Sequence, residues 1–246
     1  MFVCNSTYNY SIHFSKKKGR NDNLEQQAQA LFKSWFVDFD PFKDGNFVDS
    51  ELGMIPEGWK VSSLVDIANI TMGQSPAGSS YNENGDGIIF YQGRTEFGNR
   101  FPNIRLYTSQ PSRYAIPNSI LLSVRAPVGD INITKEKCCI GRGIASIFSK
   151  SNNNSFLLYT MKNLRPIFDQ FNGEGTVFGS INKKALEDIK VIVPTKDILS
   201  KFESLVNALD LNIWKLSDEI TILSECRDNI LPKLMSGEIK INDLNC

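Results

Sequence analysis

Histidine is almost missing from this chain: the single one, His13, lies in a polar N-terminal stretch with no apolar period. That excludes Ser-His-Asp and Cys-His arrangements, H-E-x-x-H zinc sites and centres built on two histidines. Cysteine is sparse as well. Cys4, Cys138, Cys139, Cys226 and Cys246 are odd in number and show no C-x-x-C spacing, which argues for reduced thiols and against a disulfide framework or a zinc ribbon. No uninterrupted run of about 18 apolar residues occurs, and MFVCNSTYNYSIHFSKKKGR lacks the apolar stretch of an export signal. A cytoplasmic protein without membrane contact is expected. A glycine fingerprint after a first strand, the pattern G-x-x-x-x-G-K-[ST] and an Asn/Asp-Pro-Pro-aromatic tetrapeptide are also absent. The chain therefore lacks the signals of a nucleotide-binding or methyl-donor site.

What is present is an ordinary globular composition, with 246 residues, 41% of them hydrophobic and 22% charged, enough for one or two domains. The 27 basic and 27 acidic side chains cancel but are unevenly placed. Residues 1–58 carry 6 basic and 8 acidic groups, 59–194 carry 15 and 10, and 195–246 carry 6 and 9. If a polyanion binds, the middle segment is where it would do so.

The clearest period lies between Pro194 and Pro232. Leu199, Val206, Ile213 and Ile220 share one heptad position, and Phe202, Leu209, Leu216, Leu223 and Ile230 fall three residues later. This a/d seam predicts a helix of about 54 Å that pairs with one other helix, its charged flanks leaving little surface for more. A bundle core helix is the alternative. Thr195 suits the N-cap, and Pro232 with Gly237 is expected to stop or kink the far end. Residues 24–39 predict a shorter helix with Leu24, Ala28, Leu31, Trp35 and Phe39 on one face. Offset by 199 residues it repeats the end of the long helix, Leu24 meeting Leu223 and Leu31 meeting Ile230, so most of a first copy would be missing.

Residues 59–194 alternate short β-rich runs with turns. Strands are predicted at Ile67–Met72, Ile88–Gln92, Ile120–Val124, Ile131–Thr134, Ile144–Phe148 and Val191–Val193, and helices at about 156–171 and 183–189. The fold class expected is α+β: a mixed domain plus a long C-terminal coiled-coil spacer helix.

Three loop constellations at strand ends combine glycine with polar or cationic residues: GQSPAGSSYN at 73–82, YQGRTEFGNR at 91–100, and SVRAPVG at 123–129 followed by GRGIA at 141–145. Glycine admits close backbone approach, arginine offers a fork for phosphate or guanine, and glutamine can pair with adenine. Gln74, Ser75, Tyr81, Gln92, Arg94, Ser123, Arg125 and Arg142 are therefore candidate DNA contacts on a concave basic face. The competing reading pairs Arg94, Arg125 and Arg142 with Glu96, Asp130 or Glu136. GTVFGSINKK at 175–184 is either an anion site with Lys183 and Lys184 as phosphate contacts or a plain Gly-rich turn. Glu187-Asp188-Ile189-Lys190 would hold a metal only if Asp169 or Glu174 joined it, the condition for a stand-alone nuclease.

ALFKSWFVDFDPF at 30–42, MIPEGWKVSSL at 54–64 and LPKLMSGEIKI at 231–241 resemble the conserved regions of the specificity subunit of type I restriction-modification enzymes. Residues 59–194 resemble one of that family's target recognition domains through GQSPAGSSYN, YQGRTEFG, YTSQPSRYA, SVRAPVG and IGRG. The resemblance implies a non-catalytic reader of double-stranded DNA. It would dock methyltransferase subunits and, through them, a restriction subunit, with methyl donor, ATP and Mg²⁺ held by those partners and no cofactor on this chain. It also implies four segments: an atypical 1–23, a conserved helix end and linker at 24–58, the recognition domain at 59–194, and a spacer helix with tail at 195–246. Family members carry two recognition domains and two long helices, whereas one domain and one complete helix are expected here. Either two copies pair through Leu199, Phe202, Val206, Leu209, Ile213, Leu216, Ile220 and Leu223 as a homodimer, or the chain is the C-terminal part of an interrupted reader with foreign residues at 1–23. A stand-alone nuclease and a coiled-coil adaptor that ignores DNA are the rival readings.

Overall fold

The computed structural model describes the backbone of residues 3–172 and 179–239, with side chains from Phe14 onward within those ranges. The chain forms two compact units, one of residues 39–203 and one of the residues up to 38 together with those from 204.

The helical unit contains α1 (Val3–Phe36) and most of α6 (Lys196–Met235). The long helix predicted from the heptads is present at 40 residues, about 60 Å. It runs through Pro232 instead of stopping there and ends at Met235, before Gly237 at φ 75°. Proline so near the end forfeits one backbone hydrogen bond without breaking the rod.

The first helix departs from expectation. It begins at Val3, not near Leu24, so residues 3–23 are helical and the chain carries two long helices. Lys17 forms an ion pair with Glu219, Asn21 donates to the Ser217 hydroxyl at 3.2 Å, and the Arg227 guanidinium stands 5.8 Å from the Phe14 ring. Numbers rise on one helix as they fall on the other, so the pair is antiparallel. Val206 (0% exposed), Ile213 (1%) and Leu216 (9%) are buried in this single chain. The seam's partner helix is thus the chain's own α1, and no second copy is needed to cover these residues. α1 has too little apolar periodicity to be read as a helix by itself; docking on a ready-made seam supplies the stability. The helices end at Phe36 and Met235, the same 199-residue offset as the repeat.

In the second unit, β1 (Phe47–Val48) and β2 (Ile55–Pro56) form a hairpin beside an aromatic cluster, where Trp59 meets Phe39 at 5.6 Å and Phe42 at 5.1 Å. β3 (Lys60–Ser63) leads into the one-turn α2 (Leu64–Ile67), whose Asp66 carboxylate accepts the Ser63 N–H in a capping box. Then come β4 (Ala68–Met72), β5 (Tyr81–Asn82), β6 (Ile88–Tyr91), β7 (Leu106–Thr108) and β8 (Tyr114–Ala115). They are followed by β9 (Ile120–Ser123), β10 (Ile131–Ile133), β11 (Cys138–Ile140) and β12 (Ile144–Ser149). α3 (Asn154–Asn163), α4 (Arg165–Asp169), α5 (Lys183–Glu187) and β13 (Lys190–Val193) complete the unit. Every predicted strand is found within a residue or two. The helix expected at about 156–171 is broken after Asn163, because Pro166 in the first turn of α4 has no N–H to continue the ladder.

Two sheets make the core: the antiparallel β10-β9-β12-β4, and β5-β7-β6-β11-β8, antiparallel except where β11 runs parallel to β6. Their shared cluster includes Ile89, Tyr91, Leu121, Cys138, Ile140 and Ile144. Burial pushes the Cys138 thiol up to about 11, so it is a small core hydrophobe and no nucleophile.

Candidate nucleic-acid interface

The strand directions bring the glycine loops to one place. β6 and β11 are parallel neighbours, so the loops leaving them, Gln92-Gly93-Arg94 and Gly141-Arg142-Gly143, open at the same sheet edge. β7 and β8 run the other way and enter from that edge, with Arg105 and Arg113 just before them. In the other sheet, β9 and β4 end where β12 begins, which adds Val124-Arg125 and Gly73-Gln74-Ser75.

Backbone contacts lock these loops together. Gly141 N–H donates to Tyr91 O (2.8 Å), Gln74 N–H to Ile140 O (2.9 Å), and Val124 N–H to Gly143 O (2.9 Å). Arg142 N–H reaches the Ser75 hydroxyl at 3.3 Å. Glycine is required at the crossings. A Cβ on Gly73 would lie 2.2 Å from Gly141 O, and one on Gly141 would lie 2.5 Å from Gln92 O. Arg125 bridges to Ser180, and Ile181 N–H donates to Val124 O (3.0 Å), which joins the start of α5 to the rim.

Gln74, Gln92, Arg125 and Arg142 are exposed on this rim. Among the described residues neither Arg125 nor Arg142 enters an ion pair, so the alternative of structural pairing does not apply to them. It does apply to Arg94, which pairs with Asp130. Asp130 also accepts from Arg165 at 2.7 Å. Partial burial opposes its charge, yet the hydrogen bonds from Arg165 and Arg94 prevail and hold its carboxyl below the ordinary aspartate value.

One candidate is buried and another only partly exposed. Ser123 is fully buried; its hydroxyl donates to Pro127 O (2.8 Å) and accepts the Asp130 N–H (2.9 Å), so it shapes the 123–130 loop and is corrected from contact to support. Tyr81 packs on Phe90 at 4.8 Å and donates to Pro76 O at 3.0 Å, staking the 73–82 loop in place. Lys183 and Lys184 are exposed on α5, paired with Glu187 (3.4 Å) and Asp188 (2.7 Å) one turn on. Those pairs also engage the carboxylates of the suspected metal triplet, and Asp169 pairs with Arg165. Among the described residues no three His, Cys, Asp or Glu side chains converge as a metal site would need. Glu174 and residues 175–178 of the Gly-rich loop lie outside the described residues.

Sequence reasoning missed Arg105, whose guanidinium meets the buried Glu96 at 2.8 Å, Arg113 and Arg165. Arg113 lies inside YTSQPSRYA, and the Ser-Gln-Pro-Ser turn before it was the available signal.

A mixed domain whose loops gather arginines at one rim, in a chain with two long helices, has the form of a DNA-specificity protein. The HsdS subunit from Thermoanaerobacter tengcongensis has a crystal structure that matches 94% of this chain at TM-score 0.58 and 26% identity, using 57% of its own length. Residues 56–221 match the type I restriction modification DNA specificity domain, and the chain belongs to that family. A Methanocaldococcus jannaschii protein named for the specificity subunit of type I restriction enzyme MjaX is 40% identical over 222 residues, 89% of this chain and 52% of that protein. The MjaIX specificity subunit of the same organism is 31% identical over 248 residues, 93% of this chain and 56% of its own. The chain thus spans about half the length of these curated relatives. The family is one of non-catalytic specificity subunits.

Proposed function

We propose that this chain reads one half of a bipartite DNA site and docks methyltransferase subunits, and through them a restriction subunit, in a cytoplasmic type I restriction-modification complex. The observation that carries the reading is the rim: loops from both sheets converge there, and Arg125 and Arg142 reach solvent without an acidic partner among the described residues. Gln74, Gln92 and these arginines contact base edges or phosphates, Ser75, Tyr81 and Ser123 shape the loops, and Lys183 and Lys184 add charge beside them. The chain holds no cofactor; methyl donor, ATP and Mg²⁺ belong to the partner subunits. The helix pair supplies the docking surface for protein, since α6, with 7 acidic against 5 basic side chains, disfavours a duplex.

Reading both halves of a bipartite site takes two such domains. A second copy of this chain, or the other half of a longer subunit, supplies the second, and the mass of the complex assembled with methyltransferase distinguishes them. The decisive test is a pull-down of random duplex fragments by the purified chain, with and without its methyltransferase subunit, followed by sequencing. Enrichment of one half-site motif is expected; retention of no DNA under either condition would refute the proposal.

A further inference from the structure

Among the arginines at the rim, Arg94 and Arg105 are held by Asp130 and Glu96. Arg113 is exposed and, among the described residues, enters no ion pair. It precedes β8, the edge strand of the five-stranded sheet, and accepts the Ile140 N–H on its carbonyl at 3.0 Å, two positions before Arg142 on the facing strand. Its neighbour Ser112 donates its hydroxyl to Gln74 O. The turn that carries Arg113 is therefore pinned to the same loops that carry Gln74, Ser75 and Arg142. Among the described residues no strand of its sheet lies outside β8, so Arg113 stands at the margin of the rim, not at its centre.

We infer that Arg113 contacts a DNA phosphate at the flank of the half-site, with Ser112 as its positioning residue. This rests on the DNA-reading function proposed above. Marginal position favours the backbone over base edges, since phosphates border a groove on both sides while base edges lie in its floor. A cation beside an edge strand can also serve only to prevent strand-to-strand association, and the test separates the two.

The full chain is titrated with a labelled pool of short duplexes with randomised centres, over a salt series, as wild type, Arg113→Ala, Arg113→Lys, Ser112→Ala and Arg125→Ala. Arg113→Ala should bind about five- to tenfold more weakly at physiological salt, with a salt slope shallower by about one and an unchanged selected sequence. Arg113→Lys should restore most of the affinity, because a point charge suffices for phosphate. Ser112→Ala should weaken binding less than Arg113→Ala and leave the slope intact. If Arg113→Ala leaves affinity and slope unchanged while Arg125→Ala weakens binding, the inference fails and the DNA-reading function stands; self-association of Arg113→Ala in sedimentation would then mark an edge guard. Relaxed selection at one base position also overturns the phosphate assignment. If wild type binds no duplex at low ionic strength, alone or with methyltransferase, both readings fall.

Discussion

Replacing Gly73 with alanine tests whether the rim is locked by backbone contact. The new methyl would lie 2.2 Å from Gly141 O, 2.7 Å from Ile144 O and 2.8 Å from Ile140 O, where ordinary contact begins near 3.4 Å. All three neighbours are backbone, so no side chain can swing aside. The turn between β11 and β12 must retreat by about 1 Å, at an overpacking cost of about 1–3 kcal/mol. That movement pulls on two hydrogen bonds, Gly73 N–H to Ile144 O and Gln74 N–H to Ile140 O, both 2.9 Å. At about 1 kcal/mol each, their loss brings the total to about 3–5 kcal/mol, a large share of a domain's usual stability of about 5–15 kcal/mol. Gly78, in the same loop, has nothing within 4 Å of its would-be Cβ, so Gly78→Ala should stay within about 0.5 kcal/mol of wild type. Urea unfolding of both variants measures the difference, and duplex binding should fall only in Gly73→Ala. Equal midpoints for the two variants would refute the interlocked rim.

Arg125→Ala or Arg142→Ala should cost about 1–3 kcal/mol of binding if the residue reads a base, or flatten the salt slope by about one if it touches phosphate; unchanged binding removes that residue from the interface. Asp130→Asn should loosen Arg94 and Arg165. Because the folded carboxyl titrates below its ordinary value, the aspartate's stabilisation is complete above about pH 4 and disappears as the pH falls through the lowered folded value. Paired acid-unfolding curves of wild type and Asp130→Asn should therefore converge at low pH, and a gap that widens there would contradict the assignment. In the helix pair, Asn21 is buried with Oδ1 unpartnered among the described residues. Asn21→Leu should raise stability by about 1 kcal/mol, seen as a higher thermal midpoint; a lower one would mean that the amide earns its place in the pairing.

Local period was enough to read the seam of α6 and the strands of the second unit, because alternation and heptad spacing are written within a few residues of each other. The pair of Lys60–Ser63 with Lys190–Val193 was half legible, since its first strand lacks a strong apolar alternation. Helix α1 was not legible over residues 3–23, whose helix depends on α6 some 200 positions away.

The sequence by itself determined the seam, the order of the strands, the family motifs and the placing of arginines in glycine loops. Tertiary structure alone decided that the seam is filled from within the chain, that Arg94 is tied down while Arg125 and Arg142 enter no ion pair among the described residues, and that Ser123 is buried. The physical reason is range. An arginine looks the same in sequence whether its carboxylate partner is present or absent, and for Arg94 that partner sits 36 residues away, brought close only when the two sheets close at their common edge.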